Sequence, residues 1–162
     1  MKLVPITAIA LLLAPAAMAA EINVTVSEDF QTKLQDDYGT REGDYLAKEV
    51  KEDLTRELAK AGVDVAKIDV TIVDAVPSKP TFKELGDKPG LDYGDSVSLG
   101  GMKLSAVAYD AEGKETNTFQ YSWYEHDIRY TGLTTWYDAN KASNRFARNF
   151  AEELKGEETP TN

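Results

Sequence analysis

The sequence predicts an α+β domain, a two-layer sandwich of order β-α-β-β-β-α in which a mostly antiparallel sheet is covered on one face by two helices. Three observations predict it. Two long stretches repeat apolar residues at helical spacing: Leu46, Val50, Leu54, Leu58 in one, and Trp136, Ala139, Ser143, Phe146, Ala147, Phe150, Leu154 in the other. Shorter stretches alternate apolar and polar residues with the period of a half-buried strand. Two of these flank Asp110-Ala111-Glu112-Gly113, a tight turn with glycine where a left-handed residue is wanted.

The elements follow in order. Ile22-Asn23-Val24-Thr25-Val26 alternates and reads as the first strand. Ser27 then precedes Glu28 and Asp29, an N-cap followed by acids that suit a helix start. Phe30 and Leu34 face the core from a short helical turn that stops near Gly39. An amphipathic helix runs from about Asp44 to Ala61, with Gly62 just past its end, where a helix favours glycine. Lys67–Ala75 alternates again and makes the second strand. Residues 76–99, punctuated by Pro77, Pro80, Pro89, Gly86, Gly90 and Gly94, read as a long loop, with Phe82 and Leu85 pinning its first half as a single turn. Gly100-Gly101 opens a hairpin whose outgoing strand puts Met102, Leu104, Ala106 and Ala108 on one face. The returning strand, about Thr116–Glu125, puts Phe119, Tyr121 and Trp123 on one face. Thr135-Trp136-Tyr137-Asp138 has the form of a capping box and predicts that the last helix begins near Thr135.

The beginning of the chain is of a different kind. Lys2 is followed by an uncharged run, Val4 to Ala17, that ends in Ala17-Met18-Ala19-Ala20-Glu21. Small residues at Ala17 and Ala19 fit a signal peptidase cutting after Ala19, and cutting one residue later would place Met18 at the less suitable position. Pro5 and Pro15 interrupt the run well short of the ~20 apolar residues a span needs. Residues 1–20 therefore read as a cleaved signal peptide, 21–155 as a single domain and 156–162 as a disordered polar tail. The expected location is the periplasm or the exterior, with no integral membrane segment after signal cleavage. Removing the signal removes one lysine and no acid, which moves the net charge from −10 to −11. Such acidity disfavours nucleic acid and anionic lipid as partners, because both need basic patches. The chain has no cysteine. Thiol catalysis, disulfides, cysteine metal sites and an amino-terminal lipidated cysteine are excluded with it.

Several residues are candidates for chemistry, and each has a plainer reading. His126, the one histidine, lies in Tyr124-Glu125-His126-Asp127, where flanking carboxylates suit an acid–base group. A solvated histidine at a strand end is the plainer reading. Tyr124 and Tyr130 fall off the face that Tyr121 and Trp123 give to packing, so they, with His126 and Arg129, are the ligand-binding candidates. Asp87, Asp92 and Asp95 share the glycine-rich loop and are weak calcium candidates, because their spacing is not that of an EF-hand. Arg145 and Arg148 are explained by the carboxyl end of the last helix and by ion pairs with Glu152. There is no G-x-S-x-G elbow, phosphate loop or dinucleotide fingerprint. No cofactor is expected.

Three stretches together resemble a group of small bacterial exported and lipoprotein-like α/β domains. They are Tyr38-Gly39-Thr40-Arg41-Glu42-Gly43-Asp44-Tyr45-Leu46, the hairpin about Asp110-Ala111-Glu112-Gly113, and Thr135-Trp136-Tyr137-Asp138-Ala139 with Arg145-Phe146-Ala147. In layout these are distantly similar to the amino-terminal domain of TolB and to curli-secretion lipoprotein domains. Many such proteins carry a lipidated cysteine, and this chain has none. The resemblance implies a non-catalytic module that contacts another envelope protein. Two further readings stand beside it: a small-ligand binder with loop 76–99 as a lid over Tyr124 and Tyr130, and a hydrolase that uses carboxylates or His126.

Overall fold

Each alternating stretch becomes a strand. In the computed structural model, which describes residues 20–157, β1 (Glu21–Val26), β2 (Lys67–Val76), β3 (Gly101–Tyr109) and β4 (Glu115–Tyr124) form one sheet in that order. β2, β3 and β4 are antiparallel neighbours, and β1 runs parallel to β2. A parallel pair needs a crossover. It is made by α1 (Glu28–Lys33), a π-helical turn (Leu34–Tyr38) and α2 (Thr40–Ala61). α3 (Phe82–Asp87) lies between β2 and β3, and α4 (Tyr137–Glu157) follows β4 and a 3-10 turn at Ile128–Tyr130. The α+β architecture predicted from sequence is the one observed. Apart from Ala20, the expected signal peptide lies outside the described residues, as do residues 158–162 of the expected tail.

The core sits between one face of the sheet and the two long helices. Ile68, Val70, Ile72, Met102, Leu104, Ala106 and Ala108 are buried from the sheet side. Leu46, Val50 and Leu54 of α2 and Phe146, Ala147 and Phe150 of α4 are buried opposite them. Removing a leucine or phenylalanine side chain from water stabilises by about 1.5–3 kcal/mol, so this layer dominates the energetics. Phe119 of β4 stacks on Phe150 with ring centroids 5.2 Å apart, and Phe150 lies 5.8 Å from Phe146. One polar pair between the helices is satisfied: Ser143 Oγ of α4 donates to Asp53 Oδ2 of α2 at 2.8 Å, and Arg56 donates to the other oxygen. The opposite face of the sheet carries Asn23, Thr25, Asp69, Ser105 and Gln120 at alternating positions, the other half of the same period.

Local departures have local causes. α2 starts at Thr40, ahead of the expected Asp44, because its first turn, Thr40-Arg41-Glu42, contributes no apolar residue to the stripe. Gly62 ends the helix at φ +69° with its N–H on Leu58, as expected. The expected capping box at Thr135 does not form. Thr135 Oγ1 donates to the Pro80 carbonyl at 3.5 Å, α4 begins at Tyr137, and the Asp138 N–H is taken by Ser78 Oγ at 3.1 Å. Residues 76–99 are not wholly irregular, since α3 is nucleated by a true capping box between Thr81 and Glu84. Phe82 does not pin that turn; it is 88% exposed, while Leu85 is half-buried. Arg145 makes no ion pair with Glu152 among the described residues; its guanidinium lies 4.3 Å from the Trp123 ring centroid, with Lys141 Nζ at 4.7 Å.

Candidate functional site

The carboxyl end of β2 breaks its own alternation. Ile72 pairs with Leu104 and Asp74 with Lys103, so Val73 is the extra residue of a β-bulge. Ala75 thereby returns to the core opposite Met102, and Asp74 turns to the polar face. There its carboxylate accepts from Lys33 Nζ at 2.8 Å and from the Tyr124 hydroxyl at 3.3 Å. Burial first, and then the neighbouring Asp74, push the Tyr124 hydroxyl up to about 12.

Two glycines let this end of the sheet close. A Cβ on Gly101 would stand 2.4 Å from the Trp123 carbonyl oxygen and 2.6 Å from Tyr124 Cδ1. A Cβ on Gly100 would stand 2.5 Å from Ser78 Oγ and 3.0 Å from Asp138 Cβ. The close approach at Gly100 accommodates a buried lock. Ser78 Oγ donates to Asp138 Oδ2 at 2.7 Å, the Ser78 N–H donates to the Thr135 carbonyl at 2.7 Å, and the Ser98 N–H donates to the Ser78 carbonyl at 3.0 Å. Pro77 and Pro80 fix φ on either side. The segment Pro77-Ser78-Lys79-Pro80-Thr81 is thus buried and held against the start of α4.

Between this segment, α3 and the returning residues 91–98 lies a cleft of about 280 Å³. Tyr38, Val76, Lys79, Pro80, Glu84, Leu91, Ser96 and Val97 are among its lining residues. Lys79 is only 5% exposed, and its Nζ donates to the Gly94 carbonyl at 2.7 Å. Among the described residues it has no carboxylate partner. Tyr38 is set by its edge-on contact with Trp136, at 5.7 Å and 88°; Trp136 Nε1 in turn donates to Glu42 Oε2 at 2.6 Å. Burial, then the charges of Glu84, Asp74 and Asp37, push the Tyr38 hydroxyl up to about 12, so it stays a neutral O–H. Glu84 is occupied: its oxygens accept from the Thr81 N–H and from Lys88 Nζ, each at 3.1 Å. One lysine and one tyrosine thus line the cleft together with Glu84, Ser96, Ser98 and apolar residues.

The residues singled out by sequence are placed elsewhere. Tyr124, His126, Arg129 and Tyr130 do not line this cleft, and no hydrogen bond, ion pair or ring contact joins Tyr124 to the other three. His126 lies just beyond β4 with its side chain 89% exposed and Nδ1 3.7 Å from Glu125 Oε1. Glu125 is the buried partner. Desolvation raises its pKa, but the His126 N–H, Lys141 at 3.2 Å and the Asp127 N–H outweigh that and hold the carboxyl below its ordinary range. Arg129 forks onto Asp127, with Nε at 3.0 Å and Nη2 at 2.6 Å, and the hydrogen bond raises the guanidinium pKa. Tyr130 is 65% exposed on the 3-10 turn. Asp87 pairs with Lys83, and Asp92 Oδ1 accepts from the N–H groups of Gly94 and Asp95 at 2.7 and 3.0 Å. Among the described residues no group of three or more His, Asp or Glu is placed to hold a metal ion.

No sequence pattern singles out Lys79 or Tyr38 as a lining residue of this cleft. The available signal was a lysine between Pro77 and Pro80, a setting that restricts the backbone. Tyr38 and Glu42 stand in the stretch 38–46 on which the family resemblance rests.

No protein-family model matches this sequence, and no curated protein matches it. Among solved structures, a minor lipoprotein from Acinetobacter baumannii is similar at TM-score 0.38 and 10% identity, over 86% of this chain and 94% of that one. Among the described residues no helix is long and apolar enough to cross a membrane.

Proposed function

We propose that this chain is an exported domain that works by binding, and that its working end is the pole of the sheet beneath residues 76–98. The observation that carries the reading is the cleft of about 280 Å³ whose walls are a locked, buried segment on one side and a returning loop on the other. A site on rigid backbone with few polar groups among apolar walls is how small-molecule pockets are built. Against a hydrolase stand the solvent-facing ring of His126 and the burial of the Ser78–Asp138 pair, which leaves neither group accessible to a substrate. Export rests on residues 1–20, a positive start, an apolar run and small residues at the cleavage site.

Two measurements test the reading. Amide chemical shifts of the purified protein, recorded with mixed acidic, basic and neutral fragments, should move together at Tyr38, at Lys79 and across residues 91–98. Fragments that bind only elsewhere, or nowhere, refute the cleft. Amino-terminal sequencing of protein from the periplasmic fraction of a Gram-negative host should begin at Ala20; a cytoplasmic product that begins at Met1 refutes export.

A second reading, contact with an envelope protein, is favoured by a separate observation. Phe82 and Leu133 are 88% and 82% exposed, and Phe82, Leu85, Tyr93, Pro80 and Thr135 line an apolar hollow of about 170 Å³. Cross-linking in cells should capture a specific protein that Phe82→Asp abolishes; capture unchanged by that substitution ends this reading.

A further inference from the structure

We propose that the cleft beneath residues 76–98 binds a small aliphatic monocarboxylate, with the carboxylate held by the Lys79 ammonium and the Tyr38 hydroxyl and the hydrocarbon against Val76, Pro80 and Leu91. This names the ligand class for the site assigned above and rests on that assignment.

Lys79 supplies the first argument. Lysine is almost never this buried without an acid partner, because an ammonium taken out of water needs compensation. Lys79 is 95% buried, one N–H is spent on the Gly94 carbonyl, and no described carboxylate pairs with it. A carboxylate in the cleft completes a charge-assisted hydrogen bond that the protein itself does not make.

Tyr38 supplies the second. Its hydroxyl has no hydrogen-bond partner among the described residues, it lines the cleft, and it remains protonated through the physiological range. As a neutral phenol it can donate to an acceptor of suitable size, and Trp136 packs edge-on against its ring.

Charge then restricts the class. Glu84 lines the same cleft, and Glu84, Asp74 and Asp37 all act on the Tyr38 hydroxyl. Lys33 and Lys88 already pair with those acids, so Lys79, the one cation among the described lining residues, can answer one negative charge and leaves a second unpaired. Phosphate and dicarboxylates are disfavoured for that reason. Amines are disfavoured because the buried Lys79 ammonium repels a second cation. The volume sets the size: about 280 Å³ holds roughly nine water-sized groups at ~30 Å³ each. A branched short-chain acid such as isovalerate fits that space.

Titration calorimetry on the purified protein, with isovalerate, isovaleramide, isoamylamine, succinate and inorganic phosphate as probes, tests the proposal. Isovalerate should bind, and its neutral amide should bind at least about tenfold more weakly, the scale of a hydrogen bond to a charged group. Succinate, phosphate and the amine should be weaker still. Lys79→Met should abolish binding, and Tyr38→Phe should weaken it about tenfold. Equal binding of acid and amide, preference for phosphate or succinate, or retained affinity in Lys79→Met overturns the proposal. If Lys79→Met does not fold, the acid-to-amide comparison on the unaltered protein still decides. Neutral or basic fragments that occupy the cleft while isovalerate does not would leave the binding site standing and sink the carboxylate alone.

Discussion

Ser78→Ala isolates the lock that holds the cleft. The Ser78 hydroxyl donates to Asp138 Oδ2 at 2.7 Å and accepts the Asp138 N–H at 3.1 Å, and both residues are fully buried. Deleting it strands a buried carboxyl oxygen and a first-turn helix N–H. Each buried polar group left without a partner costs about 1–3 kcal/mol. The sum is about 4 kcal/mol at mid-range, a large share of the stability of an ordinary domain. For a domain of this size that lowers Tm by roughly 10–15 °C. Urea unfolding followed by circular dichroism reads it directly, with an unchanged m-value. A double-mutant cycle with Asp138→Ala should give a coupling of about 2 kcal/mol, because the two side chains strand each other when removed singly. A loss below about 1 kcal/mol, or additive singles, would show that the lock is not held by this pair.

Phe150→Ala removes a fully buried ring that touches Phe119 and Phe146, and should cost about 3–5 kcal/mol in the same urea assay; a loss under about 1 kcal/mol would contradict the sheet–helix core. Tyr38 and Tyr124 have folded pKa values raised to about 12 from an ordinary 10.0. Their contribution to stability is whole below the unfolded value and is lost as pH climbs from there through the folded value. Ultraviolet titration should therefore show two of the eight tyrosines ionising late and together with unfolding, and a single transition of all tyrosines near the ordinary value would refute the burial argument. His126→Ala should change stability by less than about 0.5 kcal/mol and leave isovalerate affinity unchanged, because the ring faces solvent; a larger effect on either would return the histidine to the candidate site.

The sequence was readable where a residue's role is burial. Leu46, Val50, Leu54 and Leu58 share a helical face and are buried in the structure, and Met102, Leu104, Ala106 and Ala108 do the same from a strand. It was misread where the partner is distant in the chain. Thr135-Trp136-Tyr137-Asp138 has the letters of a capping box, yet the hydroxyl that meets the Asp138 N–H comes from Ser78, sixty residues away. His126 drew notice for its acidic neighbours. Glu125, however, spends one oxygen on the N–H groups of His126 and Asp127 and the other on Lys141. Phe82 reads as pinning a turn in the first half of the 76–99 loop, but a capping box already fixes α3, and the ring is left outside. Lys79 and Tyr38 gave no periodic signal, since neither packs as part of a stripe.

Exceptions occur singly elsewhere, as in the register shift between Ala108 and Tyr109 and the buried Asp53–Ser143 pair, but several gather at one end of the sheet. Through most of the fold, local preference and tertiary placement agree: alternation meets the sheet, helical stripes meet the core, and Gly62 meets a left-handed cap. At the pole below residues 76–98 they disagree repeatedly. A bulge at Val73 turns Asp74 outward, Gly100 and Gly101 admit contacts no side chain would allow, a serine–aspartate pair is fully buried, and a lysine is buried with a carbonyl for company. Each departure costs stability, and sequences that fold well keep such costs where something other than folding requires them. The neighbouring Glu125–Lys141 pair shows the alternative, a buried charge answered within the chain. Among the described residues Lys79 has no such answer, and that contrast, more than the volume of the cleft, is the support for the proposal that this end of the sheet meets a ligand.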